Sequence, residues 1–124
     1  MSEEALSVEV RDFLAKYVDS IAQLEALLLL RENPQKAWDV QSMAKRLYIS
    51  DQEALEVLSH LDRQGFVVRE ESAYRFHPIS DELADVTAET ADHYRRHLIQ
   101  ITNIVHAKPR RIRQFADAFK LKKE

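Results

Sequence analysis

Residues 39–68, which read DVQSMAKRLYISDQEALEVLSHLDRQGFVV, decide the fold. Asp39 is placed to cap a helix that ends near Leu47, because apolar residues recur there on one helical face: Val40, Met43, Ala44 and Leu47. The segment Ser50–Glu53 has the pattern of a capping box, which predicts the start of a second helix. Gly65 is expected to end that helix. Its expected inward residues are Ala54, Leu55, Leu58 and Leu61.

Two helices precede this stretch, and a β-hairpin begins at its end. Apolar residues at helical spacing predict the first helix within residues 8–18. A capping box at Ser20–Gln23 predicts the start of the second, which runs through Arg31. Beyond the decisive helix pair, segments 66–69 and 74–77 are rich in β-forming residues. The short polar stretch between these two segments predicts a hairpin loop.

This order of elements is that of a winged helix-turn-helix domain, mainly α with a small β-hairpin. The quoted stretch resembles the helix-turn-helix and first wing strand of MarR-like and related bacterial regulators, and the resemblance covers roughly residues 20–78. Ala44 sits where two helices cross, and Gly65-Phe66-Val67 leads into the wing. The family often has Gly where this chain has Tyr48, and a positive φ there would cost Tyr on the order of 1 kcal/mol. The resemblance implies a winged-helix transcriptional regulator that binds double-stranded DNA.

The C-terminal third is also expected to be helical. Ser80 introduces a long helix to about His106, and Pro109 separates a last amphipathic segment. A stripe along the long helix suits packing against a second helix, with dimerisation expected and folding back onto the N-terminal helices as the alternative. The stripe consists of Leu83, Thr90, Tyr94, Leu98, Ile101 and Val105. We therefore expect a winged-helix domain with an N-terminal helix over residues 1–78 and a helical extension for dimerisation or docking over residues 79–124.

Composition narrows the class of protein. The chain has 124 residues with one Gly, three Pro and no Cys, which predicts a mostly helical protein without disulfides or thiolate metal sites. Its N-terminus lacks the basic start and apolar run of a signal peptide. The longest apolar stretch, residues 26–30, is too short to cross a bilayer. We expect a cytoplasmic protein with no membrane-spanning segment.

Charge is distributed unevenly along the chain. Residues 79–92 hold five acidic and no basic side chains, whereas residues 93–124 hold nine basic and two acidic ones. In the last segment one helical face is apolar, formed by Ile112, Phe115, Ala116 and Phe119. Basic side chains surround that face: Arg110, Arg111, Arg113, Lys120, Lys122 and Lys123. Three interpretations stay open, namely a docking helix, an arm that contacts phosphates, and a helix that binds a membrane surface or an acidic protein.

The second helix of a helix-turn-helix reads DNA with its exposed N-terminal residues. Ser50 and Gln52 occupy these positions here, and a Gln amide can pair with adenine. Lys45 and Arg46 are expected near the groove. Phosphate contacts are expected from Arg63, Arg69, Arg75, Arg110, Arg111 and Arg113.

The same helix is acidic where DNA affinity favours cations. The alternative interpretation is therefore a winged helix that binds a basic protein partner without sequence-specific DNA recognition. Its expected contact residues are Asp51, Glu53, Glu56, Glu70 and Glu71.

Neither a metal site nor an enzyme is expected. His93 and His97 share one helical face, but a structural metal needs further ligands, and Arg95 and Arg96 disfavour a nearby cation. The sequence has no Cys nucleophile, no Gly-rich phosphate loop and no GxSxG motif. We expect no cofactor and no catalytic activity.

Overall fold

The computed structural model describes residues 6–108. Six helices account for most of this range: α1 (Val8–Tyr17), α2 (Ile21–Glu32), α3 (Val40–Leu47), α4 (Asp51–Gln64), α5 (Asp81–Arg96) and α6, described over 98–108. Three short strands accompany them: β1 (Trp38–Asp39), β2 (Val67–Glu70) and β3 (Ala73–Phe76). The expectation of a mainly α protein with a small β-hairpin is confirmed.

Capping side chains determine where the central helices begin. The Ser20 hydroxyl accepts a hydrogen bond from the Gln23 N–H at 3.1 Å, and the Ser50 hydroxyl accepts one from the Glu53 N–H at 3.0 Å. Asp39 Oδ1 accepts from the N–H three residues further on at 2.8 Å. Each bond satisfies an amide that the start of a helix leaves without a partner in the helix itself. The three predicted helix starts are confirmed.

An aromatic cluster closes the core where α4 meets the hairpin. Gly65, with a φ of 91°, ends α4 in the left-handed conformation that glycine tolerates. Phe66 follows and is fully buried. Its ring makes edge contacts with Phe13 at 5.8 Å and with Tyr17 at 5.3 Å between centroids. One side chain thus ties the start of the wing to α1.

A buried glutamine joins three helices. Gln23 Oε1 accepts from the Asp19 N–H at 2.8 Å, and its Nε2 donates to the Tyr17 carbonyl at 2.8 Å and to Gln64 Oε1 at 3.0 Å. The Gln64 amide also donates to the Tyr17 carbonyl, at 2.9 Å. Because both polar atoms of the Gln23 side chain have partners, it is buried without an orphaned donor or acceptor. The network holds α4 against α1 and α2.

The sheet is antiparallel with the strand order β1-β3-β2. β2 and β3 form the predicted hairpin, with Glu70 opposite Ala73. Residues 71–72 make the turn, and Glu71 has a φ of 60°. β1 is an addition to the predicted fold, because two residues are too few to show the alternation of a strand. It places Trp38 against β3 and brings the start of α3 to the sheet.

The predicted long helix over residues 80–106 is wrong, because the structure contains two helices there. α5 ends at Arg96, and His97 has a non-helical backbone with φ −129° and ψ 46°. α6 follows, with Ile101 and Val105 fully buried in the core. A straight helix of that length would extend beyond so small a domain. The break lets these two apolar side chains leave water.

The end of α6 is fastened to the N-terminal part of the chain. Lys108 Nζ donates to the carbonyls of Leu14 at 3.3 Å and Val18 at 2.9 Å, and lies 3.0 Å from Asp19 Oδ1. Carbonyls at the C-terminal end of a helix carry partial negative charge, which the half-buried ammonium group of Lys108 offsets. The described C-terminal helices therefore fold back onto the N-terminal ones, the arrangement left open as the alternative.

The buried face of α4 differs from the expectation at one position. Ala54, Leu58 and Leu61 are fully buried, but Leu55 is 47% exposed and Val57 takes the inner position instead. Successive helical residues are rotated by about 100°, so residues 54, 57, 58 and 61 form one arc and residue 55 falls outside it. The expectation that Leu55 points inward is wrong.

Candidate nucleic-acid interface

The turn between α3 and α4 contains a left-handed tyrosine. Tyr48 has φ 59° and ψ 45°, and its N–H donates to the Ala44 carbonyl. The Ile49 N–H donates to the same carbonyl at 3.1 Å. The Tyr48 side chain is 94% exposed, so no packing offsets the strain of this conformation. The turn thus has a backbone conformation that favours glycine, although tyrosine occupies the position.

We expect Tyr48→Gly to raise the free energy of unfolding by about 0.5–1 kcal/mol, because glycine adopts this conformation without strain. The gain is limited by the larger backbone entropy of glycine in the unfolded chain. Urea unfolding measures it. Gln41→Gly, in the helical part of α3, is the matched control and should instead lose about 0.5–1 kcal/mol. A loss in both variants would show that the turn is not strained.

α4 lies on the surface with its N-terminal half turned to solvent. The buried arc of Ala54, Leu58 and Leu61 holds the helix on the core. The opposite side presents exposed positions, namely Ser50, Asp51, Gln52, Glu53 and Glu56. The Ser50 hydroxyl is engaged as the helix cap, which leaves Gln52 as the uncharged polar group of this surface that can pair with a base edge.

Three exposed cations border this surface. Lys45 and Arg46 lie in the last turn of α3, and Arg63 lies in the last turn of α4. Within residues 6–108, none of the three has an ion pair or a side-chain hydrogen bond. Their charges can therefore act on phosphates outside the protein.

The two wing arginines are held within the wing itself. Arg75 Nη2 donates to Glu70 Oε2 at 2.8 Å, and Arg69 Nε donates to the Glu71 carbonyl at 2.9 Å. The hydrogen bond from Arg75 and its positive charge lower the pKa of the Glu70 carboxyl. In turn, the hydrogen bond to Glu70 and its negative charge raise the pKa of the Arg75 guanidinium. Because Glu70 offsets the charge of Arg75, the wing contributes less positive potential than the end of α3.

Several acidic residues on α4 and the wing stabilise the element to which they belong. Asp51 and Glu53 lie in the first turn of α4, where negative side chains interact favourably with the helix dipole. Glu70 is engaged with Arg75 across the hairpin. Glu56 and Glu71 are exposed, and no ion pair within the described range engages either of them. The acidic surface therefore consists partly of residues that stabilise α4 and the wing.

A charged cluster connects α4 with the end of α6. Asp19 Oδ2 lies 3.5 Å from His60 Nε2 of α4, while its other oxygen lies 3.0 Å from Lys108 Nζ. The sequence gives no signal for this cluster, because the three residues are far apart in the chain and belong to no motif. It couples the surface helix to the point where the described chain ends.

The predicted dimerisation stripe lies mostly within the chain's own core. The buried members are Leu83, Thr90, Ile101 and Val105. Tyr94 donates its hydroxyl proton to Glu25 Oε2 at 3.1 Å, and burial, helped by the Glu25 charge, raises the pKa of Tyr94 to about 12. Leu98 is 51% exposed, next to the exposed Ile99. Dimerisation through this stripe stays a prediction, with Leu98 as its solvent-facing member.

Three of the predicted phosphate-contacting arginines lie in the C-terminal segment that the structure does not describe. Arg110, Arg111 and Arg113 lie outside residues 6–108. The rings of His93 and His97 touch edge to face, with centroids 5.8 Å apart. The described part of the chain contains no group of three potential metal-binding side chains. Nor does any helix between residues 6 and 108 have the length and hydropathy needed to cross a membrane.

Solved structures of other proteins share this architecture. The transcriptional regulator Tm0710 of Thermotoga maritima matches with a TM-score of 0.51 and 17% identity, over 95% of this chain and 83% of that one. The chain has the winged helix-turn-helix fold. The MarR family protein Rv2887 of Mycobacterium tuberculosis matches with a TM-score of 0.48 and 17% identity, over 96% of this chain and 86% of that one. Lactococcus lactis ZitR gives 0.49 and 18%, over 83% and 73%.

The expected winged helix-turn-helix fold is thereby confirmed. No protein-family model matches the chain, and no curated protein sequence matches it. The shared fold does not determine what this chain binds, which depends on its surface residues.

Proposed function

We propose that this winged helix is a transcriptional regulator that binds double-stranded DNA as a homodimer in the cytoplasm. The observation that supports this most directly is the outward-facing N-terminal half of α4, with the exposed Gln52 on it. Lys45 and Arg46 flank it across the turn and have no partner within residues 6–108. A reading helix needs this combination, because base contacts specify the site and cations at phosphates supply affinity.

The roles divide along the chain. Residues 1–78 bind DNA, with Gln52 against a base edge and Ser50 fixing the start of the reading helix. Arg63 and the two α3 cations hold phosphates, and the extension over residues 79–124 joins two copies through its exposed surface at Leu98. Two reading helices related by two-fold symmetry would then recognise a palindromic site.

The carboxylates on α4 lower the affinity for every duplex alike, because they repel phosphate. Base contacts must then provide a larger share of the binding free energy than in a strongly basic winged helix. The affinity for random DNA should be weak at moderate salt, and a good site should stand out against it. The protein-binding alternative rests on the same acids, two of which already stabilise the start of α4.

Selection from random duplex DNA by the purified full-length protein, at low and at moderate salt, tests the proposal. We expect enrichment of a two-fold symmetric sequence, sharper at the higher salt. A Gln52→Ala protein should lose the preference at one base in each half-site while enriching the rest. Absence of any enriched sequence at low salt would overturn the DNA-binding proposal and leave the protein-binding alternative.

A further inference from the structure

A groove between α1 and the start of α5 is open to solvent. Its volume is about 410 Å³, and apolar side chains form its floor: Phe13, Tyr17, Leu83 and Val86. Its rim is mainly acidic, with Glu9 and Asp12 from α1 and Glu82 from α5, and with Lys16 as a basic member. A groove of this kind suits an apolar helix face that is bordered by cations.

The acids of this rim are not neutralised by the chain around them. Glu9, Asp12 and Glu82 are exposed, and no ion pair within residues 6–108 involves any of them. Asp81 and Asp85 of α5 add to the same negative surface, again without an ion pair in the described range. The groove thus presents a net negative charge around an apolar floor, since three acids and Lys16 line it.

The segment that complements the groove is part of the same chain. Residues 110–119 carry Ile112, Phe115, Ala116 and Phe119 at helical spacing, with arginines and lysines around them. As a helix these ten residues would be about 15 Å long, the length that the ten residues of α1 also give.

The last described residue contacts the helix that forms one side of the groove. Lys108 is bound to the Leu14 and Val18 carbonyls, at the C-terminal end of α1. Tyr17, on the groove floor, lies in the same last turn of α1. Pro109 follows at once and cannot continue a regular α6 without losing a hydrogen bond. The Lys108 side chain therefore reaches the end of α1 that also carries Tyr17 of the groove floor.

We propose that residues 110–119 dock in the groove between α1 and α5 of their own chain, as an amphipathic helix. Phe115 and Phe119 contact the apolar floor, and the arginines face Glu9, Asp12 and Glu82. The docked tail shields the apolar floor from water and directs its cations toward protein carboxylates instead of DNA phosphates. This inference does not depend on whether α4 reads DNA.

Paramagnetic relaxation enhancement on the full-length protein tests the proposal. The chain has no Cys, so Gln114→Cys provides a unique site for a nitroxide label, on the helix side opposite to the apolar face. In a uniformly ¹⁵N-labelled protein we expect the amide signals of Asp12, Tyr17 and Val86 to broaden. Amides of the wing should keep their intensity.

A mixed sample distinguishes the tail of the same chain from the tail of a second copy. Nitroxide-labelled ¹⁴N protein is combined with unlabelled ¹⁵N protein, so that only contacts between chains cause broadening. Broadening of the groove signals in this mixed sample would overturn docking within one chain and would indicate exchange of tails between copies. Broadening confined to α4, or absent from both samples, would overturn docking in the groove altogether.

Charge reversal on the rim gives a matched control. Asp12→Lys combined with Glu82→Lys should restore the groove signals in the nitroxide-labelled protein, because cations now face the arginines of the tail. Glu32→Lys, an exposed reversal at the end of α2, should leave the broadening unchanged. Broadening that survives the double reversal would show that the rim charges do not hold the tail. If the tail binds duplex DNA and the groove signals are not broadened, the tail acts as an arm that contacts phosphates instead.

Discussion

Phe66→Ala is expected to lower the free energy of unfolding by about 3–5 kcal/mol. The ring is fully buried and makes edge contacts with Phe13 and Tyr17. Removal of the ring leaves a cavity where α1, the end of α4 and the wing meet, and the neighbouring rings lose a contact surface. Since domains of this size are stable by about 5–15 kcal/mol, a large fraction of the total would disappear. Urea unfolding followed by circular dichroism measures the loss.

Two variants separate this effect from the loss of an aromatic ring in general. Tyr48→Ala removes an exposed ring and keeps the backbone strain, so it should change the stability by less than about 0.5 kcal/mol. Phe66→Leu retains most of the volume and should cost about 1.5 kcal/mol or less. A loss for Phe66→Ala no larger than that of Tyr48→Ala would mean that the cluster does not join the wing to α1.

Helix starts could be predicted from the sequence because the interactions that determine them are local. Ser20, Asp39 and Ser50 each bind an amide within the next three residues. The inward face of α4 was nearly right for the same reason, since a helical repeat fixes which residues share a side. Leu55 and Val57 lie at the edges of that face, where a small rotation of the helix exchanges inside for outside.

The break at His97 depends on contacts distant in the sequence. No Pro or Gly marks it, and the residues around it continue a helical pattern. The chain bends there because Ile101 and Val105 reach the core only if α6 turns back. The carbonyls at the end of α1 that bind Lys108 likewise show in no local pattern. The sequence therefore predicted that the C-terminal third is helical, but not that α6 turns back onto the core.

The candidate interface was predictable in its positions more than in its charges. The outward placement of Ser50, Gln52 and Glu56 follows from the helical repeat. Which cations remain free depends on partners across the hairpin, and Arg75 is bound to Glu70 there. Within the described residues, the candidate cations at the ends of α3 and α4, namely Lys45, Arg46 and Arg63, have no ion pair.

The double substitution of Lys45 and Arg46 by alanine is expected to reduce the dependence of DNA affinity on salt. Each phosphate contact contributes about 0.9 to the slope of log K against log salt, so the slope should become shallower by about 2. Binding should weaken by a similar factor for all duplexes, because these cations contact phosphate and not bases. Fluorescence anisotropy of a labelled duplex over a salt series measures both quantities.

Arg11→Ala removes a positive charge from α1, away from the proposed interface. It should leave the slope nearly unchanged, since exposed charges beyond a Debye length of about 10 Å are largely screened. A change of slope for Arg11→Ala at least half as large as that of the α3 double variant would contradict the role assigned to the end of α3.

Glu53→Lys combined with Glu56→Lys provides the opposite change on α4. These two carboxylates lie on the exposed side of the reading helix, so their reversal should strengthen binding to random duplex DNA and make the salt slope steeper. The preference for the selected sequence should fall at the same time, because nonspecific affinity rises while base contacts stay the same. Unchanged affinity for random DNA in the α4 variant would mean that this helix does not face the duplex.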